Sequence, residues 1–451
     1  MLTDALLKRH LRKAVEAARA AESFDAIDAA LQPFYDAIPQ QLVAAEAAVL
    51  IVGEDDFPFA GRRLLAGAVL EEWWTRDKEL LVQLGERSQH LTDIDLLNRP
   101  AEEGLVPGIV EALWELSERF TDDIDVLRTL GTTARLAGRA FDETAEAALH
   151  RCTKVEPDHA PHWYNLGLFY KTRGRFAEGV IANQRALSLD DDFKSAVWNL
   201  GICATGDGQG ELALEMWCHR LGHTLELDDN TALPAGDYHM CQVRLAQRPL
   251  AERNADDDEP GQEETVWIKR LSPCHGVIRN AVIYAEDIGL DYGDMVLFDG
   301  APIVMRQWGE ETVPVFPHLT TLSTGDHHAL AFHATQPAAE VVANWMNDDR
   351  RPDNLFIEVL TENYVSLCEC CWKDDKSDHA DHQVDEHRIV DGKLCFPKTA
   401  NAASIRDVID QLADETGVVF MVPELHRLVG DDARASVDAR RLGMLTHSED
   451  G

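Results

Sequence analysis

Two consecutive stretches decide how the middle of the chain folds: APHWYNLGLFYKTRGRFAEGVIANQRALSLDDDF at residues 160–193 and KSAVWNLGICATGDGQGELALEMWCHRLGHTLEL at residues 194–227. The segment WYNLG of the first returns as VWNLG in the second, 34 residues later. Each stretch predicts two helices that pack against each other. The repeated glycines, Gly167 and Gly201, predict a close crossing of these helices, because a Cβ there would meet the opposite helix. One helix pair cannot bury both of its faces, so the units must stack.

The two units resemble the tetratricopeptide-repeat (TPR) family. In the first unit the residues on the family pattern are Trp163, Leu166, Gly167, Tyr170, Phe176, Ala186 and Leu187, and in the second they are Leu200, Gly201, Ala213 and Trp217. Gly179 stands where the family usually has alanine, and Arg220 replaces a usual small residue. A third copy begins at about Ile124 and ends with Pro157. The resemblance covers about residues 124–228 and implies a stacked helical array with a concave face.

The resemblance also implies that the first helix of each unit lines the concave face and binds a peptide segment of a partner protein. The positions that it implies are Tyr164, Asn165, Leu168, Lys171 and Thr172 in one unit and Trp198, Asn199, Ile202 and Thr205 in the next. The asparagine amides can hydrogen-bond a peptide backbone, and the two aromatic rings offer apolar area. Among these positions only Lys171 is basic. TPR proteins that bind chaperones use several Lys and Arg side chains to bind a C-terminal carboxylate, so the sequence argues against that role. The alternative is an array that only packs against its own C-terminal half.

The segments on either side of the repeats predict a cap and a linker. Residues 1–123 are rich in alanine, leucine and glutamate, with apolar residues at helical spacing, so they predict a helical region that caps the repeats of 124–247. Residues 248–264, RPLAERNADDDEPGQEE, are acidic and almost free of apolar side chains. Such a composition predicts a linker between two domains.

After the linker the apolar period changes from about 3.6 to about 2 residues, which predicts strands. Residues 265–322 predict a small β-barrel or meander, with Asp299-Gly300 as a tight hairpin turn. Over residues 323–445 the order strand, helix, strand, strand, helix, strand predicts a ferredoxin-like α+β module, with an extra hairpin at Asp391-Gly392. The predicted fold class is therefore multidomain: an all-α TPR-type helical array, then a β-rich segment, then a ferredoxin-like (βαββαβ) module.

Charge limits the classes of partner. The 451 residues include 42 Lys+Arg against 80 Asp+Glu, a formal net charge of −38. This field repels phosphate, so neither nucleic acid nor an anionic membrane is an expected partner. A protein partner, a divalent cation or a high-salt habitat fits the charge. No apolar stretch has the form of a signal peptide or the length of a membrane span, which predicts a cytoplasmic protein.

A cluster of cysteines and histidines predicts a zinc site in the C-terminal half. Seven such residues lie within 28 positions: Cys368, Cys370, Cys371, His379, His382, His387 and Cys395. Zinc prefers thiolate and imidazole ligands and usually takes four. Cys368 and Cys370 share one face of a predicted strand, and His379 and His382 can fold back to complete a site, so these four are the predicted ligands. The alternative is buried thiols beside a solvated loop.

The sequence holds no convincing catalytic motif. Phosphate-binding glycine loops, the nucleophile elbow and the zinc-protease motif HExxH are absent from it. Cys274 and His275 are a nucleophile and a base side by side, but neighbours on a strand point to opposite faces. The favoured hypothesis is an adaptor or scaffold that recruits a partner through the concave TPR face. The alternative is a zinc-binding enzyme or regulator whose C-terminal module carries the activity and whose repeats recruit the substrate.

Overall fold

The computed structural model describes most of the chain after residue 104 and a short part before it. The described residues are 13, 78–89, 105–254, 259–308, 311–335, 338–346, 352, 354–367, 385–443 and 446–447. They form three parts that follow one another along the chain: a helical array, a small β-barrel and a C-terminal module of strands and helices.

The first part consists of helices that are joined in pairs by short turns. These helices are α1 Lys78–Ser88, α2 Leu105–Arg119, α3 Ile124–Ala137, α4 Asp142–Val155, α5 Ala160–Thr172, α6 Phe176–Leu189, α7 Lys194–Gly206 and α8 Gly210–Leu214. α8 continues as a π-helical turn over Glu215–Arg220. The helices of each pair pack together, and consecutive pairs stack. Before residue 124 the structure describes two helices, α1 and α2.

The repeated glycines lie where the paired helices cross. A Cβ on Gly167 would lie 2.3 Å from Nδ2 of Asn183, on the second helix of the pair. A Cβ on Gly201 would lie 2.5 Å from the indole ring of Trp217, again on the second helix. Real Cβ contacts are never this short, so only glycine allows the helices to approach so closely. The predicted close crossing is confirmed, and residues 124–220 form a TPR-like array.

Local chemistry sets the helix ends of the array. α3 begins after Asp123, whose carboxylate accepts a hydrogen bond from the backbone N of Val126 at 3.2 Å. In the next two units the first helix is followed by a glycine with positive φ, Gly174 at 69° and Gly208 at 73°. L side chains are strained in this region, whereas glycine is not, so the chain can reverse there into the second helix.

Strands from residue 240 to residue 323 close into a small barrel. They are β3 Met240–Ala246, β4 Glu263–Arg270, β5 His275–Ile278, β6 Met295–Phe298, β7 Val304–Trp308 and β8 Glu311–Ser323, preceded by the pair β1 Glu226–Leu227 and β2 Pro234–Ala235. The sheet order is β3-β4-β5-β6-β8-β7, and a parallel pairing of β3 with β8 closes the ring. The short helix α9, Ala285–Ile288, lies between β5 and β6.

The acidic segment 248–264 does not link two domains. β3 begins at Met240, within the range expected for the repeats, and pairs with β4 on the far side of the segment. The segment therefore connects two paired strands of the barrel, and its start is held by a bond from N of Arg248 to O of Pro260 at 2.9 Å. A polar connection within a domain and a linker between domains share the same composition, so composition could not separate them. The burial of Leu250 in the core beside the array agrees with a connection inside one body.

The array and the barrel share one hydrophobic core. Ile202 and Trp217 of the third unit pack with Cys274, Leu297 and Leu319 of the barrel, and all five side chains are buried. Continuous apolar packing of this kind makes the two parts one body rather than two domains on a flexible tether. The predicted exposure of Ile202 on the concave face is wrong, because the barrel covers this side chain.

The C-terminal part is an antiparallel sheet with helices packed against it. Its elements are β9 His327–Thr335, α10 Ala338–Met346, β10 Phe356–Leu367, β11 Asp385–Pro397, α11 Ala402–Thr416, β12 Phe420–Met421, α12 Pro423–Leu428, α13 Asp432–Leu442 and β13 Thr446–His447. The strand order is β12-β9-β11-β10-β13. The helices pack against the sheet and form a buried core with it. Val342 of α10 contributes to this core, and so do Ile405 and Ile409 of α11. The spacing of these apolar positions is that of one helix face.

The predicted hairpin at Asp391-Gly392 is wrong. Both residues lie inside β11, where Gly392 faces Val359 next to an irregularity in β10. A Cβ on Gly392 would lie 2.4 Å from the backbone oxygen of Glu358 and would also meet the ring of Phe332. This glycine allows a close approach within the sheet and does not form a turn.

Polar contacts join the C-terminal part to the barrel. Nζ of Lys393 donates to Oδ2 of Asp291 at 2.5 Å and to the carbonyl oxygen of Val282 at 2.6 Å. In addition, N of Ala281 donates to Oε2 of Glu358 at 2.7 Å. Hydrogen bonds to charged groups in partly buried positions are stronger than neutral ones, so these contacts fix the position of the sheet against the barrel.

Candidate functional site

The concave face of the array holds an open groove with a volume of about 600 Å³. It runs along α3, α5 and α7, the first helices of three units, and the loop after β6 forms one wall. Five of the nine residues that the sequence placed on a partner-binding face line this groove: Tyr164, Leu168, Lys171, Trp198 and Asn199. Thr172 and Thr205 are buried and do not belong to the lining. Asn165 is half-buried and does not belong to the lining, and Ile202 is buried in the shared core.

A buried ion pair forms part of the groove lining. Nζ of Lys171 donates to Oδ2 of Asp299 at 2.5 Å, and the two side chains are only 4% and 8% exposed. The other oxygen of Asp299 accepts from N of Ala301 at 3.2 Å. The predicted hairpin at Asp299-Gly300 is wrong, because β6 pairs with β5 and β8, and β7 pairs with β8. The loop reaches into the array instead, so the barrel occupies a position that was expected for a partner.

Trp198 also contacts its own chain. A Cβ on Gly300 would lie 2.4 Å from the indole Nε1 of Trp198, so the glycine lets the loop lie against this ring. The same ring meets Trp217 edge to face, with centroids 5.2 Å apart and an interplanar angle of 77°. For Lys171 and Trp198, therefore, the alternative drawn from the sequence applies: the array packs against its own C-terminal half.

The rest of the groove lining includes apolar side chains and one buried amide. Asn199 is 3% exposed, and among the described residues its Nδ2 has no hydrogen-bond acceptor. A buried donor left in this state costs about 1–3 kcal/mol. Leu168 and Tyr164 are half-buried beside it, and the Tyr164 ring lies 5.1 Å from that of Phe193. The groove thus combines apolar walls with one buried amide donor.

The sequence did not identify two cations of the groove. Arg135 belongs to the first helix of the first unit, and Lys194 is the first residue of α7. Arg135 stands four residues after the crossing glycine of its unit, as Lys171 does in the next unit, so alignment on these glycines reveals the equivalence. Among the described residues that line the groove, three are cations and Asp299 is the one acid. The lining is positive within a strongly acidic chain.

The four predicted zinc ligands, Cys368, Cys370, His379 and His382, lie outside the described residues, and the zinc site stays a prediction. Cys395 of the same cluster is described. It is fully buried in β11, and burial raises the pKa of its thiol. A protonated, buried thiol is a poor metal ligand, so this one residue fits the alternative of a structural cysteine.

Cys274 and His275 belong to a buried cluster rather than to an active site. Both side chains are fully buried, and so is Ser272. Oγ of Ser272 lies 2.5 Å from Nδ1 of His275 and 3.8 Å from Sγ of Cys274. Burial raises the pKa of the Cys274 thiol to about 11. A protonated thiol sealed from solvent cannot attack a substrate, so this cluster supports the fold.

His275 gives the fold a dependence on pH. Burial lowers its pKa from 6.5 to about 4, so the unfolded chain binds a proton in this interval that the folded chain does not. The stability that depends on neutral His275 is complete above pH 6.5 and is lost as the pH falls to about 4. The loss amounts to up to about 3 kcal/mol. We expect the free energy of unfolding in urea to fall less over this interval in His275→Gln than in the native protein. An equal fall in both would contradict this account.

A second cavity, of about 740 Å³, lies in the C-terminal part between α11, β12 and α13. There Nε2 of His426 lies 3.3 Å from Oδ2 of Asp438, and both side chains are buried. Arg434 forms two hydrogen bonds to the carboxylate of Asp410, at 2.6 and 2.9 Å. Because these cations and carboxylates pair with each other, they indicate no particular class of ligand for the cavity.

Comparisons with known proteins give a limited result. No protein-family model matches the chain, and no curated protein matches it. Among solved structures, a crystal structure of MamA is 21% identical and covers 36% of this chain and 86% of its own, with a TM-score of 0.29. MamA from Desulfovibrio magneticus RS-1 is 19% identical, with coverages of 39% and 93% and a TM-score of 0.29. The thermophilic TPR protein TTC0263 of Thermus thermophilus is 20% identical, with coverages of 39% and 88% and a TM-score of 0.29.

At these TM-scores the likeness carries no argument of its own. A search for membrane-spanning helices in the described ranges finds none of sufficient length and apolar character. The assignment of a TPR-like helical array rests on the chain itself: a period of 34 residues, paired helices that stack, and glycines at the helix crossings.

Proposed function

We propose that this protein is a TPR-containing adaptor whose concave groove binds an extended segment of a partner protein. The observation that carries the proposal is the open groove of about 600 Å³ along the first helices of three units, lined by apolar side chains and three cations. An extended peptide segment can lie along such a groove with its side chains against the lining. The contacts of Lys171 and Trp198 with the Asp299–Ala301 loop hold the groove in shape before a partner arrives, which lowers the entropy cost of binding.

Charge and shape select the partner segment. The lining holds Arg135, Lys171 and Lys194 against Asp299, in a chain with a net charge of −38. A positive groove on an acidic protein attracts carboxylates and repels other cations. Leu168 adds apolar surface next to these charges. The favoured partner segment therefore carries an acidic residue beside a large apolar one.

The proposal extends to the rest of the chain. We propose a helical cap at 1–123 and a ferredoxin-like α+β module at 323–445. Support for this module comes from its strand order. β12, which follows the second connecting helix α11, lies beside the first strand β9. The acidic charge supports an adaptor without a nucleic-acid or membrane partner, and we propose that it is cytoplasmic.

A zinc-binding enzyme or regulator is the second candidate function. Its support is the density of cysteine and histidine between Cys368 and Cys395. In that case the C-terminal part carries the activity, and the groove recruits the substrate. Protein that binds no zinc through these cysteines would end this candidate and leave the adaptor proposal untouched.

A peptide-display library selected against the full chain tests the groove. We expect the selected peptides to carry an acidic residue beside a large apolar one. We expect Lys194→Glu to weaken their binding at least about tenfold, the equivalent of about 1.4 kcal/mol. Lys194 is exposed at the start of α7, so the charge reversal leaves the core intact, which circular dichroism can verify. Fluorescence anisotropy of a labelled peptide gives the Kd.

Lys154→Glu is the matched control for this experiment. Lys154 is exposed on α4, the second helix of its pair, and lies outside the groove lining. The Lys154→Glu protein should bind the selected peptides as the native protein does, whereas Leu168→Arg should abolish binding by filling the groove. Selected peptides without carboxylates, or equal losses in the two lysine variants, would rule out the groove as the binding site.

A further inference from the structure

The turn between the first two repeat units carries three side chains of the types that ligate metals, spaced three residues apart. Its sequence is EPDHAPHW, residues 156–163. Glu156 follows the last residue of α4, and His159 precedes the first residue of α5. N of His159 donates to O of Glu156 at 3.2 Å, and N of His162 donates to O of His159 at 3.2 Å. These bonds close two successive turns of the chain, so side chains three residues apart lie on the same side.

The ligand atoms of the three side chains converge. Nε2 of His162 lies 2.9 Å from Oε2 of Glu156, and Nδ1 of His159 lies 4.0 Å from the same oxygen. All three ligand atoms lie within 4.8 Å of one another, and the imidazole centroids are 4.3 Å apart. Over the described part of the chain, no second group of three such side chains comes together in this way.

Neighbouring contacts hold the turn in place. His162 is only 2% exposed, although its ring is polar. The indole Nε1 of Trp163 donates to the carbonyl oxygen of Pro157 at 2.9 Å, and the guanidinium of Arg185 lies 5.9 Å from the Trp163 ring. His159 occupies the N-cap position of α5, but its side chain makes no capping hydrogen bond. Its imidazole therefore does not serve the helix end.

We propose that Glu156, His159 and His162 bind one divalent cation of the zinc class, with a fourth position for water or a partner side chain. Zinc takes imidazole and carboxylate ligands at about 2.0–2.2 Å, which places ligand atoms about 3.3 Å apart around a tetrahedral ion. The present separations of 2.9 and 4.0 Å lie on either side of that value. Glu156 and His159 are exposed and free to rotate by the small amount required, while buried His162 is the fixed ligand.

The charges around the turn favour a cation of this class. The net charge of −38 attracts cations to the whole molecule. The C-terminal end of α4 and the start of α5 meet at this turn, so their helix dipoles oppose each other and the side-chain charge of Glu156 decides the local preference. Calcium and magnesium prefer oxygen ligands, so a set with two imidazoles selects against them.

The metal proposal does not depend on the proposed adaptor function. None of the three ligands lines the groove. A bound ion ties the end of the first unit to the start of the second, and a ligand that binds only the folded chain raises its stability by mass action. The expected readouts are therefore metal affinity and thermal stability, not partner binding.

Titration of the full chain with zinc tests the site. The starting protein carries Cys368→Ser and Cys370→Ser, which removes the thiols of the predicted C-terminal zinc site. We expect this protein to bind one equivalent of zinc and its Tm to rise with zinc concentration. Glu156→Gln and His159→Asn, both at exposed positions, should each weaken zinc affinity at least about tenfold. Loaded with cobalt, the protein should show ligand-field absorption without thiolate charge transfer.

His219→Gln is the matched control. His219 is exposed and lies on the π-helical turn, outside the cluster, so its replacement should leave zinc affinity unchanged. Magnesium and calcium screen the negative charge without needing the site, so they should change Tm equally in the starting protein and in Glu156→Gln. The proposal is overturned if Glu156→Gln and His159→Asn bind zinc as the starting protein does, or if the two cysteine substitutions alone remove all zinc binding.

Discussion

Lys171→Met is expected to lower the free energy of unfolding by about 3–5 kcal/mol. The substitution leaves the carboxylate of Asp299 buried, at 8% exposure, with the backbone N of Ala301 as its remaining donor. An uncompensated charge in a medium of low dielectric constant is far more costly than the loss of an ion pair in water. Urea denaturation followed by far-ultraviolet circular dichroism measures the change.

Two comparisons test whether burial is the cause of that loss. When Lys171→Met is combined with Asp299→Asn, no charge remains at the site, and the amide oxygen can still accept from N of Ala301. Most of the stability should therefore return. Lys398→Met breaks an exposed pair with Asp326, at 3.5 Å, and should cost less than about 1 kcal/mol. If Lys171→Met costs no more than Lys398→Met, the barrel loop does not close over Lys171 as described.

The parts of the fold that the sequence predicted are those that local patterns determine. The close crossing of the helices at Gly167 and Gly201 follows from steric contacts within one helix pair. The period of 34 residues reveals these glycines in the sequence. In the C-terminal part, the alternation of strand and helix is also local, because each segment carries its own period. Patterns of this kind need no knowledge of what lies across the molecule.

Contacts between distant segments could not be predicted in the same way. Lys171 has the features of a partner-facing cation, but its partner is Asp299, 128 residues later. Ile202 fits the concave face by its position in the repeat, but the barrel buries it. Both errors have one cause: the repeat pattern defines a surface, whereas what covers that surface depends on the docking of another part of the chain.

The two Asp-Gly pairs show how one local signal can have different outcomes. At Asp299-Gly300 the chain does leave a strand, but the loop packs on Trp198 instead of joining two paired strands. At Asp391-Gly392 the strand continues. There the glycine leaves room for the ring of Phe332, which occupies the space that a side chain would take. Glycine indicates a close approach in both places, and the sequence alone does not say whether the approach is made by a turn or by packing.

Trp217→Ala is expected to lower the free energy of unfolding by about 3–5 kcal/mol. Its side chain is fully buried in the core that the third repeat unit shares with the barrel, so truncation leaves a cavity that both parts line. Trp114→Ala is the matched control, because Trp114 is 37% exposed on α2. Its truncation should lower the free energy of unfolding much less. A small effect of Trp217→Ala would mean that the array and the barrel do not share a core.

The effect of Gly201→Ala on the free energy of unfolding should have opposite signs in the native protein and in the Trp217→Ala protein. In the native protein the new Cβ lies 2.5 Å from the Trp217 ring, and this overpacking should cost about 1–3 kcal/mol. In the Trp217→Ala background the ring is gone, and alanine favours a helix over glycine by about 1 kcal/mol, so the same substitution should stabilise. The four proteins form a double-mutant cycle measured by urea denaturation. The same sign in both backgrounds would place Gly201 away from the helix crossing, and without that crossing the helices could not stack into the array that forms the groove.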